Sequence, residues 1–219
     1  MNRKFIPLSL PVLTGNEVKY VTEAIESGWV SSFGRYVGEF ENALSEYVGS
    51  AGGVACQSGT AGIHLALILS GVTENDFVIV PTLTFIATVN PVKYVGAIPL
   101  FMDCDDSLCM DPVKLRHFCE NECRLINGRS FEKETMRPVK AVIVVHVFGN
   151  MAEIMDIAKQ HHLIVIEDAA EALGTYYLSG KYKGKFAGTI GDFGVFSFNG
   201  NKIITTGGGG MIVAPKSDF

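Results

Sequence analysis

The stretch AVIVVHVFGNMAEIMDIAKQHHLIVIEDAAEALG, Ala141 to Gly174, decides the fold. It opens on an apolar run, Ala141 to Val145, and a second such run follows at Leu163 to Ile166. Neither run alternates with polar residues, which is the pattern of strands buried on both faces. A helical pattern separates them, so the stretch reads as strand, helix, strand, the unit from which parallel sheets are built. Working outward, short apolar runs recur at Gly53 to Cys56, Phe77 to Val80 and Ala97 to Phe101, again with helical patterns between them. The chain is therefore α/β with a mostly parallel sheet.

Upstream, Thr14 to Glu17 (TGNE) reads as a capping box, followed by Val18, Val21, Ala24 and Ile25 at helical spacing and then Gly28. Phe40, Ala43, Leu44 and Tyr47 mark a second helix ending at Gly49, so helices occupy about residues 14–48 and lead into the sheet. The polar stretch from Asn121 to Pro138 reads as a surface loop between a helix and a strand. After Ile166 the pattern turns to glycine-rich β-like pieces: GTYYLSGKYKGKFAG, GVFSF, KIITT and GMIVA. The last piece runs into APKSDF with no closing helix, an unusual place for a complete domain to end.

Composition narrows the function classes. Of 219 residues, 47% are hydrophobic and 19% charged, so apolar surface is expected to meet a partner chain. The formal net charge is −5 with no basic cluster, which argues against nucleic acid. No apolar run approaches the roughly 18 residues of a membrane helix. MNRKFIPLSLPV, at the N-terminus, lacks a signal-peptide core. Five cysteines without a CxxC pair fit a reducing compartment, and the expected location is the cytoplasm. Cys119 and Cys123 with His117, Cys104 and Cys109 could be drawn as a metal site, but ordinary thiols are the commoner outcome and no metal is expected. The acidic run at Asp103, Asp105 and Asp106 reads as turn formers and caps.

Ligands of parallel sheets bind at the carboxyl ends of strands. Four such places stand out. Gln57 to Gly62 follows a strand and opens an apolar helix, which makes either an anion site or an ordinary capped turn, with Gly59 as the point of close backbone approach. Pro81 to Phe85 puts an aromatic ring at a strand end, as a cover for a planar ligand or as a core residue. Asp168 leaves a buried strand beside Glu167, as a cap or as a charge held against a cationic ring nitrogen. Lys202 sits in a glycine-rich loop, as a surface charge or as the nucleophile for an imine. Neither GxGxxG nor GxxxxGK[ST] occurs, which argues against dinucleotide and P-loop readings.

Taken together, SGTAGIHLAL, VPTLTFIATVNPV, VVHVFGNMAEI, IEDAAEALG and FSFNGNKIITTGGGG resemble the motifs of the DegT/DnrJ/EryC1/StrS family of pyridoxal-phosphate aminotransferases. The resemblance runs from Ile6 to Ala214. It implies the fold-type I aminotransferase large domain, three layers α/β/α around a mainly parallel seven-stranded sheet. It also implies that residues 1–219 are this cofactor-binding domain, with the family's small C-terminal domain missing. Family members act as homodimers on nucleotide-linked keto-sugars, here of the 4-keto-6-deoxy kind, with glutamate as amino donor.

Residue by residue, Lys202 matches the lysine that carries pyridoxal 5'-phosphate as a Schiff base and shuttles the proton. Asp168 matches the partner of the pyridine nitrogen, and Phe85 the aromatic that stacks on the ring. Gly59, Thr60 and Ser197 match phosphate contacts, with Ser58 beside them. Glu171 falls beside the cofactor where the family commonly has Gln or His, and Asn199 falls near the substrate where His is frequent. Two other readings of the same resemblance are a sugar dehydratase of this fold, which carries histidine in place of the lysine, and a truncated domain without activity.

Overall fold

A computed structural model of the chain describes residues 5–7 and 9–214. Residues 215–219, which include most of APKSDF, and residues 1–4 and 8 of the N-terminal stretch lie outside the described residues. Helices α1 (Glu17–Ser27) and α2 (Arg35–Val48) come first, and β1 (Gly52–Cys56) leads directly into α3 (Gly59–Leu69). Then follow β2 (Phe77–Pro81), α4 (Ile86–Tyr94), β3 (Ile98–Met102) and α5 (Pro112–His117). The short strands β4 (Cys123–Ile126) and β5 (Arg129–Glu132) precede β6 (Val139–Val145), α6 (Met155–Gln160) and β7 (Ile164–Asp168). The last strands are β8 (Phe193–Ser197) and β9 (Gly210–Ala214).

Seven strands form one sheet in the order β1-β9-β8-β7-β6-β2-β3, in which β9 runs antiparallel to both neighbours and all other pairings are parallel. The mixed, mainly parallel sheet is the expected one. Its central strands are buried on both faces, as their unbroken apolar runs require. In β6, Val142 and Val144 join a core with Leu115, Phe118 and Met155, whereas Ala141 and Ile143 join a second core with Ile63, Leu67 and Val92. Helices α3 and α4 cover the second face, α5 and α6 the first. A third cluster, Leu44, Val48, Phe196, Phe198 and Met211, docks α2 against the β8–β9 end. At the β1 edge, Glu41 of α2 accepts the Ala55 amide at 2.8 Å, which occupies a group that would otherwise invite another strand.

Three local expectations are corrected. Asn16, not Thr14, occupies the cap position of α1, and Glu17 accepts the Gly15 amide at 2.8 Å instead of closing a capping box. The stretch 121–138 is not a loop: β4 and β5 pair antiparallel through Asn127-Gly128, whose φ values of 50° and 74° make a hairpin turn of the kind that Asn-Gly favours. KIITT is not a strand. Residues 202–206 form an irregular excursion between β8 and β9, closed at its base by Thr206 N–H to Phe198 O at 3.0 Å and Phe198 N–H to Gly209 O at 2.9 Å. The thiols of Cys119 and Cys123 are buried, which pushes them up to about 12 and about 11, and among the described residues no His, Cys, Asp and Glu cluster is arranged to hold a metal ion. No helix among the described residues is long and apolar enough to cross a membrane.

Close backbone approach shapes the region under the site. A Cβ on Gly194 would overlap the Gly188 backbone carbonyl, and one on Gly62 would lie 2.7 Å from Val195 Cγ1. Gly194→Ala is expected to lower stability by at least about 1–3 kcal/mol, read from urea unfolding, while Gly52→Ala in open space changes it by less than about 0.5 kcal/mol. Equal unfolding midpoints for the two variants would contradict the packing described.

Candidate active site

A cavity of about 560 Å³ lies at the carboxyl ends of β6, β7 and β8, between the starts of α3 and α4. Every residue that the sequence singled out for chemistry lines it: Ser58, Gly59, Thr60, Phe85, Asp168, Glu171, Ser197, Asn199 and Lys202. The strand-end loops thus converge, although their residues are far apart in the chain.

One wall is the start of α3. Ser58 caps the helix by accepting the Ala61 amide on its side chain at 3.1 Å and the Gly62 amide on its carbonyl at 3.1 Å. The partial positive charge of the helix start therefore faces the cavity at Gly59 and Thr60. The structure gives glycine at 59 a packing reason as well. Its missing Cβ would sit 3.1 Å from Ser197 Cβ, so Gly59 lets the helix start lie against the end of β8. Phe85 stands at the N-cap position of α4 and is 75% exposed, so it is a cavity-wall residue and not a core phenylalanine.

The floor is Asp168, the last residue of β7, buried at 7% exposure. Its Oδ2 accepts the Thr88 hydroxyl at 2.7 Å and its Oδ1 the Ala170 amide at 3.1 Å. Burial pushes its carboxyl above the usual range, opposed by the Thr88 and Ala170 hydrogen bonds and by Lys202. A carboxylate has about four acceptor positions, so about two remain for further donors, and a cationic N–H in the cavity would relieve the cost of burial. Lys202 enters from the β8–β9 excursion, its side chain 14% exposed, with Nζ 3.0 Å from Glu171 Oε1. Asn199 stays exposed at the rim and donates to Asn201 Oδ1 at 3.1 Å.

Three residues went unassigned in the sequence. Glu167, next to Asp168, points to the opposite face because strand side chains alternate. It is fully buried and accepts four hydrogen bonds: His146 Nε2 at 2.8 Å, and the amides of Gly188, Ile190 and Gly191 at 2.9, 2.6 and 2.6 Å. His146 Nδ1 accepts the Ala152 amide at 3.2 Å, which assigns the neutral tautomer with its proton on Nε2. Burial opposes the charge on Glu167, yet His146 and the Gly191 and Ile190 amides hold its carboxyl below the usual range. His146 was visible as the first residue after a strand, and Thr88 as the residue one helical turn beyond Thr84. The apolar run itself hid the opposite roles of Glu167 and Asp168.

This sheet order, with a helix start, a buried carboxylate and a lysine around one strand-end cavity, is that of the large domain of a fold-type I aminotransferase. The chain belongs to the DegT/DnrJ/EryC1/StrS aminotransferase family, whose model matches residues 11–218. It is 44% identical over 213 residues to the GDP-perosamine synthase of Escherichia coli O157:H7, covering 96% of this chain and 53% of that protein. Among solved structures it is similar to Spr1654 of Streptococcus pneumoniae in its PLP form, with TM-score 0.79 and 28% identity over 97% of this chain and 54% of that one. Helicobacter pylori PseC, an aminotransferase involved in the biosynthesis of pseudoaminic acid, gives TM-score 0.78 and 28% identity over 98% and 53%. The chain spans about half the length of the curated relatives it matches.

Glu167→Gln replaces an acceptor with a side chain whose NH₂ faces amide donors. It is expected to cost at least about 1–3 kcal/mol near neutral pH, the cost of a buried donor left without its acceptor. Because the folded-state pKa of Glu167 is depressed, its contribution is present above the ordinary glutamate range and is lost as pH falls through the folded value. The difference between wild type and variant in urea unfolding should therefore shrink on acidification; a constant difference would show that Glu167 is not charged in the fold.

Proposed function

We propose that residues 1–219 form a domain that binds pyridoxal 5'-phosphate in the strand-end cavity, and that the protein transfers an amino group from glutamate to a keto-sugar carried on a nucleotide. The observation that carries this reading is the convergence of Asp168, Lys202 and the α3 start on one cavity. The buried carboxylate fits a protonated ring nitrogen, the helix start fits a phosphate, and the lysine fits an aldehyde. Likeness to GDP-perosamine synthases and to a PLP form of a solved relative supports the cofactor and the nucleotide-sugar class. A 4-keto-6-deoxy sugar is the substrate we favour.

When bound, the cofactor supplies an electron sink that acidifies the carbon bearing the amine. The rest falls to the chain. Asp168 neutralises the ring nitrogen's positive charge and so keeps that nitrogen protonated. Gly59 and Thr60 at the α3 start, with Ser58 and Ser197 beside them, hold the phosphate. Phe85 covers one ring face, and Asn199 at the rim meets the sugar. Lys202 Nζ, released from its proton, takes the α-proton of the amino donor and in the second half-reaction delivers a proton to the sugar carbon that gains nitrogen. Such general base help is worth about 100- to 10,000-fold. Glu171, beside Nζ, is the nearest acceptor for the proton that Lys202 must shed before it acts.

The working unit is a homodimer in the cytoplasm. The apolar side of α1 supports a partner surface, with Val18, Val21 and Ile25 all at least 59% exposed. Sedimentation equilibrium should give about twice the chain mass; a monomer that still binds the cofactor tightly would contradict the dimer as the working unit.

Incubation with pyridoxal 5'-phosphate, borohydride reduction and peptide mapping should place the pyridoxyl mass on Lys202, and Lys202→Ala should lose it. A label confined to other lysines would overturn the reading. In the active protein Asp168→Asn should keep the label yet lose at least about a hundredfold in half-reaction rate, on the order of 2.7 kcal/mol.

A further inference from the structure

Thr88 is wholly buried on α4, and its hydroxyl has two neighbours. One is Asp168 Oδ2 at 2.7 Å; the other is the hydroxyl of Thr84, one helical turn earlier, also at 2.7 Å. A hydroxyl carries one hydrogen. While Asp168 is ionised it only accepts, so the Thr88 hydrogen goes to Asp168, and the Thr84 hydrogen is then given to Thr88. Thr84 lines the cavity.

We infer that Thr84 and Thr88 form a directional hydroxyl relay that orients the Asp168 carboxylate and stabilises its charged form, with Thr88 as the positioning residue. The relay has two senses. With Asp168 ionised, the hydrogens run from Thr84 to Thr88 to Asp168, and Thr84 presents only acceptor lone pairs to the cavity. With a proton on Asp168 Oδ2, the chain reverses without breaking: Asp168 donates to Thr88, Thr88 donates to Thr84, and Thr84 becomes a satisfied acceptor whose own hydrogen is free for a ligand. The proton state of the cavity floor is thereby expressed at a wall residue.

The other groups facing Asp168 do not duplicate this function. Lys202 approaches from the β8–β9 excursion but is held by Glu171. His146, after β6, carries its ring hydrogen on Nε2 and spends it on Glu167. Glu167 itself faces the opposite side of the sheet. The Ala170 amide serves Oδ1, so Oδ2 depends on Thr88.

The test separates this relay from the cofactor reading on which its catalytic use rests. Because burial raises the folded-state pKa of Asp168, the stability associated with this group is fully present below its unfolded value and is lost as pH rises through the folded one. Removing a hydrogen bond to the charged form enlarges that loss. In protein without added cofactor, Thr88→Val should therefore weaken the folding equilibrium more at pH 8 than at the ordinary aspartate value or below, by up to about tenfold for a hydrogen bond that moves the pKa by one unit. Thr88→Ser, which restores the hydroxyl, should stay within about threefold of wild type throughout. In an Asp168→Asn background the pH dependence of the Thr88→Val effect should vanish. Thr84→Val, at the partly exposed end of the relay, should give the same sign at smaller size and serves if Thr88→Val does not fold. A Thr88→Val effect independent of pH, or one whose pH dependence persists unchanged in the Asp168→Asn background, overturns the relay. A second arm loads wild type and Thr88→Ser with pyridoxal 5'-phosphate and Thr84→Val alongside them, and follows the visible band against pH: a band that titrates differently only in Thr84→Val supports the coupling to the bound ring. Loss of the band in every protein, with the first arm intact, rejects the cofactor reading and leaves the relay standing.

Discussion

Strand β7 ends on two adjacent carboxylates, and the alternation of side chains forces them to opposite faces of a sheet that is buried on both. Much of the cavity's construction answers that constraint. Glu167, on the face of α5 and α6, is met by His146 and three backbone amides in one short loop, so its charge is fully compensated within the chain. Asp168, on the face of α3 and α4, is met by one hydroxyl and one amide. The first carboxylate fixes the loop 188–191 against the sheet; the second has fewer donors and stands where the carboxyl ends of β6, β7 and β8 open into a cavity. A buried charge without full compensation is costly. Here the deficit faces the space where a cationic ring nitrogen would supply what is missing.

The remaining parts reach that space through close packing. Gly194 and Gly62 let β8 approach the 188 turn and α3 approach β8, and Gly59 lets the start of α3 lie on Ser197. These contacts bring a helix start, a strand end and the β8–β9 excursion to one rim. The excursion is closed at its base by hydrogen bonds at Phe198, and this projects Lys202 inward beside Glu171 instead of outward into solvent. The lysine's position therefore depends on antiparallel β9, the one strand that breaks the parallel pattern.

The central strands were legible because strands buried on both faces must be apolar throughout, and Ala141 to Val145 has no other simple reading. The site residues were legible because they stand at strand ends in stretches that local structure explains poorly, above all Lys202 among glycines. What escaped has equally physical reasons. The β4–β5 hairpin carries charged residues on both strands and so lacks an apolar signature; only Asn127-Gly128 announced it. KIITT has β-branched residues without a neighbouring strand to pair with, since β8 is already occupied by β7 and β9. Thr88 sits within an apolar helix, where a threonine draws no attention until its hydroxyl is seen against Asp168. The packing reason for Gly59 lay in a contact with Ser197, and no local pattern encodes a partner that distant in sequence.

The central claim is that one buried carboxylate with acceptor capacity to spare and one helix start fix both ends of a bound pyridoxal 5'-phosphate. A crystal structure of the protein grown with that compound measures this directly. The ring nitrogen should lie within hydrogen-bond distance of Asp168, the phosphate should rest on the amides of Gly59 and Thr60, and Lys202 Nζ should be joined to the aldehyde carbon. A phosphate seated elsewhere, or a ring nitrogen turned away from Asp168, would contradict the claim.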